Sequence, residues 1–263
     1  MIKTDVVDVI AKELFDAEKN KTAVDKFVDK YPELDEALAY QIQDRLVEMK
    51  EKEENTKRVG WKLGLTSKAK QQMIGVHEPS YGVLLESMQL NEGEPISIAP
   101  FIHAKAEPEI AFILNKELKG PHVSVADVLS ATEYVAPAIE IIDSRFFGFK
   151  FTLADAVSDN SSSSRFIIGE RFYNPENLNL KLMGFVYRQN GEVAATGAGA
   201  AVMGHPARAI AWLANRLYKV GKSLKPGEVI LSGSLSAALE IAPGDQYTAS
   251  FDGIGSVHAI FTE

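Results

Sequence analysis

The sequence predicts an α+β fold, a β-roll or sandwich preceded by a helix-rich segment, and three observations carry the prediction. Apolar residues recur at helical spacing in the N-terminal part, short β-rich pieces follow, and those strands do not alternate regularly with helices as a doubly wound sheet requires. Val6, Val7, Ile10, Leu14 and Phe15 mark a first amphipathic helix, and Leu34, Leu38, Ile42, Leu46 and Met49 a second. The charged run "EMKEKEENTKR" reads as the solvated end of the second helix and a loop. Beyond it, "VGWKLGLTS", "SYGVLL", "EPEIAFIL", "APAIEII", "SRFIIG", "LMGFVYR", "EVILSGSL" and "YTASFD" are strand-like pieces set between Gly, Pro, Asn and Asp. Two helices interrupt them. "SVADVLSATEY" opens on Ser124 as N-cap, and "HPARAIAWLANRLYKVG" has Pro206 in its first turn and Gly221 past its end.

Composition narrows the function. A chain of 263 residues with 46% hydrophobic and 24% charged residues has the make-up of a globular protein with a sizeable core. A net charge of -8 argues against a nucleic-acid partner, whose footprint is a basic stripe. With no cysteine there is no disulfide, thiol nucleophile or cysteine metal site, in keeping with a reducing compartment. Asp5 and Asp8 fall where a signal peptide needs an uncharged apolar core, and no span is apolar enough for a membrane. The expectation is a cytoplasmic protein with a small partner.

Three glutamates in apolar, strand-like company carry the most chemistry. Alternation points Glu107 and Glu109 to one face, with Ile110, Phe112 and Leu114 on the other. Glu140 lies among Ala138, Ile139, Ile141 and Ile142, where an unpaired carboxylate costs several kcal/mol. If the three converge, they need a cation, and an oxygen-only donor set suits Mg²⁺ or Mn²⁺ better than Zn²⁺. The plainer alternative is a solvated strand face with Glu140 in an ion pair. Pro108 between the first two glutamates points to an edge or a bulge.

Other motifs say less. Gly197, Gly199 and Gly204 in "GAGAAVMG" miss the dinucleotide-binding spacing and read as a tight turn. Neither a phosphate-binding GxxxxGK[ST] loop nor a GxSxG elbow occurs. Lys62 in "WKLGLTS" is either a snorkelling lysine or one held beside an anion. In "SDNSSSSR" the hydroxyls of Ser161 and Ser162, the Asn160 amide and Arg165 form either a carboxylate site or a polar loop. Gly233 and Ser234 in "SGSLSA" offer backbone N–H groups to an anion or simply end a strand. His103 and His205 read as structural, and neighbouring His77 and Glu78 face opposite ways on a strand.

Taken in order, "KLGLTS", "YGVLL", "EPEIAF", "ATEYVAPAIEIIDSRF", "DAVSDNSSSSRFIIG", "GAGAAVMGHPARAIAWLAN" and "PGEVILSGSL" resemble one group of the fumarylacetoacetate hydrolase superfamily. That group holds 2-hydroxypenta-2,4-dienoate hydratases and 4-oxalocrotonate decarboxylases of aromatic meta-cleavage catabolism. The resemblance runs from about the first helix to the C terminus. It implies a divalent metal, Mg²⁺ or Mn²⁺, on Glu107, Glu109 and Glu140, an active-site lysine at Lys62, and substrate contacts at Ser161, Ser162, Gly233 and Ser234. It also implies a smaller helix-rich N-terminal domain, residues 1–92, and a mixed β-roll catalytic domain, residues 93–263.

Hydratases of this group carry an aspartate where this chain has Ser80, and a serine cannot take up a proton at neutral pH as a carboxylate can. Arg165, in the decarboxylase-like "SSSSRF" context, is expected to orient the distal carboxylate of a dicarboxylic keto acid. The resemblance thus implies decarboxylation, with a hydratase as the nearest alternative and an acylpyruvate hydrolase or a non-catalytic small-acid binding partner as remoter ones. It further implies a homo-oligomer and a complex with a hydratase.

Overall fold

The computed structural model describes residues 3–263. The chain runs through α1 (Lys3–Asn20), α2 (Glu36–Glu53), β1 (Arg58–Gly64), α3 (Lys68–Ile74), β2 (Ser80–Leu85), β3 (Gln89–Leu90), β4 (Pro95–Ser97) and β5 (Lys105–Leu114). It continues through α4 (Val125–Ala131), β6 (Thr132–Ile142), α5 (Leu153–Ser158), β7 (Ser163–Ile168), β8 (Gly184–Gln189), β9 (Glu192–Ala198) and α6 (Pro206–Tyr218). The last elements are β10 (Val229–Leu231), β11 (Leu239–Glu240), β12 (Gln246–Phe251) and β13 (Gly255–Thr262). The fold is α+β, as expected. No helix among the described residues is long and apolar enough to cross a membrane.

The helices begin where their capping residues place them. Asp35 accepts from the Leu38 N–H at 2.8 Å to open α2, and Ser124 and Asp127 close a reciprocal capping box on α4. Pro206 opens α6, where its missing N–H costs nothing, and His205 Nδ1 accepts from the Ala207 N–H at 3.1 Å. His205 is therefore structural.

One large sheet runs β2-β1-β10-β5-β6-β7-β3, with β11 also paired to β5, and a five-stranded sheet runs β4-β13-β12-β8-β9. A single apolar cluster draws Phe112, Ile139 and Phe166 from the first sheet, Phe185, Tyr247 and Phe261 from the second, and Ile210, Leu213 and Leu217 from α6. A second cluster joins Ile10 and Leu14 of α1 to Leu38 and Ile42 of α2, and takes in Phe146 and Val157. Ile10, Leu14, Leu38 and Ile42 are among the residues that the helical periodicity marked.

Two expectations need correction. The strands β1, β2 and β3 precede residue 93 yet hydrogen-bond within the large sheet, so a division at residues 92/93 cuts across paired strands. Pro108 sits neither on an edge strand nor at a bulge. It faces the gap between β10, which pairs with residues 111–113, and β11, which pairs with 105–106, so its missing N–H leaves no ladder partner stranded. Its carbonyl accepts from the Leu235 N–H across that gap at 3.1 Å.

Candidate metal centre

The register of β5 against β6 assembles the acidic site. Glu107 lies directly opposite Glu140 and Glu109 opposite Ala138, and residues paired in this way share a face. All three carboxylates are buried, and one oxygen from each lies within 4.8 Å of the others. Lys62 arrives from β1, whose pairing with β10 and of β10 with β5 puts it on the same face. It is 2% exposed, stands 3.1 Å from Glu140 Oε1 and donates to the Ser161 carbonyl at 3.0 Å. Opposite Lys62 on β2 is Gly82, where a Cβ would come within 3.1 Å of the lysine Cδ.

One ammonium does not balance three carboxylates. Burial, and then the charges of Glu140 and Glu107, hold Glu109 well above the usual carboxylate range; burial also raises Glu140, against the pull of Lys62. Burial opposes the charge on Lys62 as well, yet Glu140, Glu107 and Glu109 together outweigh it and raise the lysine. Glu109 Oε1 and Glu140 Oε2 are buried with no hydrogen-bond partner among the described residues, while Glu140 Oε1 has the Lys62 ammonium at 3.1 Å. Buried acceptors in that state call for a proton or a cation. The oxygen-only donor set fits a hard divalent cation such as Mg²⁺.

The remaining predicted residues divide. The Gly233 N–H donates to Glu109 Oε2 at 2.7 Å from a left-handed backbone, φ +102°, where a Cβ would lie within 2.9 Å of three Thr66 side-chain atoms. Ser161 Oγ donates to the Tyr81 carbonyl at 2.9 Å and lies 3.3 Å from Ser80 Oγ, so Ser161 joins the site through its backbone carbonyl. The Ser162 hydroxyl is buried without a hydrogen-bond partner among the described residues. Ser234 spends its hydroxyl on its own turn, donating to the Ser236 carbonyl at 2.7 Å. Ser80 and Lys62 border a common space: Ser80 Oγ lies 2.8 Å, and Lys62 Nζ 3.9 Å, from the point where a Cβ on Gly64 would sit.

Arg165 is not part of this group. It pairs with Ile141 while Phe166 pairs with Glu140, which puts the guanidinium on the opposite face of the sheet. There it lies 6.0 Å from the centre of the Phe101 ring and donates to the Ser164 carbonyl at 2.8 Å, beside a surface cavity shared with Glu18 and Lys50. The Asn160 amide is committed as well, to the backbone of Val83 on both sides. Sequence reasoning passed over Ser232 and Tyr187, whose hydroxyls are buried without hydrogen-bond partners among the described residues. Burial, then the charges of Tyr247 and Glu107, raise the Tyr187 phenol. Tyr187 comes from the second sheet, and nothing in its own stretch of sequence marks it.

Comparison with known proteins bears on this geometry. Residues 53–261 match the family model described as fumarylacetoacetate (FAA) hydrolase C-terminal. The 4-oxalocrotonate decarboxylase of Pseudomonas putida is 42% identical over 252 residues, covering 96% of this chain and 95% of that protein. The 2-hydroxyhexa-2,4-dienoate hydratase of Comamonas testosteroni is 40% identical over 259 residues, covering 98% of each. The structure of the 4-oxalocrotonate decarboxylase from Pseudomonas putida G7, complexed with magnesium and adipate, matches with a TM-score of 0.95 and 39% identity over 99% of each chain.

Proposed function

The chain belongs to the fumarylacetoacetate hydrolase family, and from that premise we propose that it is a metal-dependent decarboxylase of 2-oxohex-3-enedioate (4-oxalocrotonate), forming 2-hydroxypenta-2,4-dienoate and carbon dioxide. Both kinds of near relative, decarboxylase and hydratase, are lyases, and so is this chain. The observation that carries the reading is the buried carboxylate trio with Lys62 at 3.1 Å from Glu140 and an uncharged Ser80 beside it.

In the reaction the C5–C6 bond breaks and carbon dioxide leaves. The electron pair forms C4=C5, the former C3=C4 pair moves to C2=C3, and the C2 oxygen takes the charge and then a proton. Bound among Glu107, Glu109 and Glu140, Mg²⁺ or Mn²⁺ supplies Lewis acidity at the C2 oxygen. Lys62 contributes a fixed positive charge where that oxygen becomes negative. Gly233 fixes Glu109 by its N–H, and we assign the buried Ser162 hydroxyl to the substrate's C1 carboxylate. With Arg165 on the far face, the departing carboxylate is not gripped by that guanidinium, and a grip as strong before the step as during it would not accelerate it.

A hydratase adding water to 2-hydroxypenta-2,4-dienoate is the second reading, favoured by the 40% identity to the Comamonas hydratase. Against it stands Ser80, where a water-activating carboxylate would be needed. Supplying 4-oxalocrotonate with Mg²⁺ or Mn²⁺, and separately hydroxypentadienoate, and identifying the products separates the two. Carbon dioxide release abolished by chelator and by Glu140→Gln is expected; no release with metal present overturns the decarboxylase. A homo-oligomer, a complex with a hydratase that consumes the unstable dienol, and a cytoplasmic location belong to the same proposal.

A further inference from the structure

Asn160, Ser161 and Ser162 form a left-handed turn, with φ of +50°, +52° and +56°, although none of them is glycine. In this region the Cβ crowds the carbonyl, and three such residues in succession persist only where surrounding contacts hold them. Those contacts are present. Asn160 Oδ1 accepts from the Val83 N–H at 2.7 Å, and Asn160 Nδ2 donates to the Val83 carbonyl at 2.9 Å. Ser161 Oγ donates to the Tyr81 carbonyl, and Arg145 Nη2 donates to the Asp159 carbonyl at 2.7 Å just ahead of the turn.

The left-handed course aims the Ser161 carbonyl at Lys62 Nζ, 3.0 Å away. Gly82 permits the approach, since a Cβ there would lie 2.5 Å from the Asn160 carbonyl oxygen. We propose that this turn, clipped to β2 by the Asn160 amide, sets the position of the Lys62 ammonium, so that Asn160 is a positioning residue for the reaction. The inference rests on the reading of Lys62 given above and adds to it a residue that reaches neither the cation nor the substrate. Its clip to a single backbone unit explains why the amide is spent twice on Val83.

One variant of the Mg²⁺-loaded protein tests it: Asn160→Ala, which removes the clip. Misplacing a charged group by about 1 Å costs about 100-fold in rate, so kcat is expected to fall by about that factor while Mn²⁺ affinity by calorimetry stays within about threefold. A readout independent of turnover is the acetylation rate of Lys62 by mass spectrometry, with Lys50, 3% exposed and paired to Glu18 in the helical layer, as internal control. A rise of about tenfold or more at Lys62 alone is expected. Equal rises at both lysines mean general loosening and overturn the inference, as does unchanged Lys62 reactivity in Asn160→Ala. Should the unsubstituted protein release no carbon dioxide, the proposed function falls and the acetylation comparison still decides this one.

Discussion

Without a cation the acidic site should make the protein less stable as pH rises. Carboxylate oxygens within 4.8 Å of one another repel by about 3.5 kcal/mol per pair at an effective dielectric near 20, so the trio carries about 10 kcal/mol. Lys62, at 3.1 Å from Glu140, returns about 5 kcal/mol of that through its nearest partner. Burial and the neighbouring charges therefore hold Glu109 well above its ordinary value of 4.5. Folded Glu109 keeps a proton that the unfolded chain releases, so its contribution is complete below pH 4.5 and is lost as pH rises toward the folded value. The slope is about 1.4 kcal/mol per pH unit for one proton.

At about 2–4 °C per kcal/mol, one proton limits the fall in melting temperature between about pH 6 and about pH 8 in chelator to at most about 11 °C, and the expected direction is downward. Glu109→Gln should remove most of that slope, since the amide oxygen can still accept from Gly233 and cannot ionise. Saturating Mn²⁺ should flatten the unsubstituted protein's curve, because ligation needs the deprotonated carboxylate, and should stabilise Glu109→Gln far less. Differential scanning calorimetry across pH, with and without metal, reads both effects. Parallel curves for the two proteins in chelator, or equal stabilisation by Mn²⁺, would refute the electrostatic account.

Arg165→Gln should leave kcat/KM within about threefold, because the guanidinium lies across the sheet from the trio; a steady-state loss of about 100-fold would show that it reaches the substrate. Glu18 sits against Lys50 and Arg145, which outweigh its burial and lower it from 4.5 to about 2. Its stabilising contribution, about 3 kcal/mol, is present above pH 4.5 and lost as pH falls toward 2, so Glu18→Gln should flatten the acid limb of a urea-stability profile. At Gly60 a Cβ would lie 1.8 Å from the Val229 carbonyl oxygen across the β1–β10 pair, so Gly60→Ala should cost about 3 kcal/mol by urea unfolding.

The acidic trio was legible because its signal is local: alternation along β5 fixes the shared face of Glu107 and Glu109, and the apolar flanks of Glu140 announce its burial. The helical layer was legible for the same reason, from the spacing of Leu38, Ile42 and Leu46. Arg165 was not, because its face depends on the pairing of β7 with β6 and on the irregularity between Ile141 and Ile142, which no single strand encodes. A domain limit at residue 92 failed in a similar way. The partners of β1 and β3 are β10 and β7, far along the chain, so nothing near residue 92 shows that those strands are already committed. Asn160 read as part of a carboxylate site or of a polar loop, since a run of positive φ leaves no mark on side-chain pattern.

The clip between Asn160 and Val83 has a consequence for the molecule among its neighbours in a crowded solution. β2 is the terminal strand on one side of the large sheet, and such a strand offers unpaired backbone groups to any passing chain. At Val83 the amide of Asn160 takes both the N–H and the carbonyl, and at Tyr81 the carbonyl is taken by Gln43 and Ser161. At these two residues the border of the sheet is thus sealed from within by side chains, and the whole of β2 is buried.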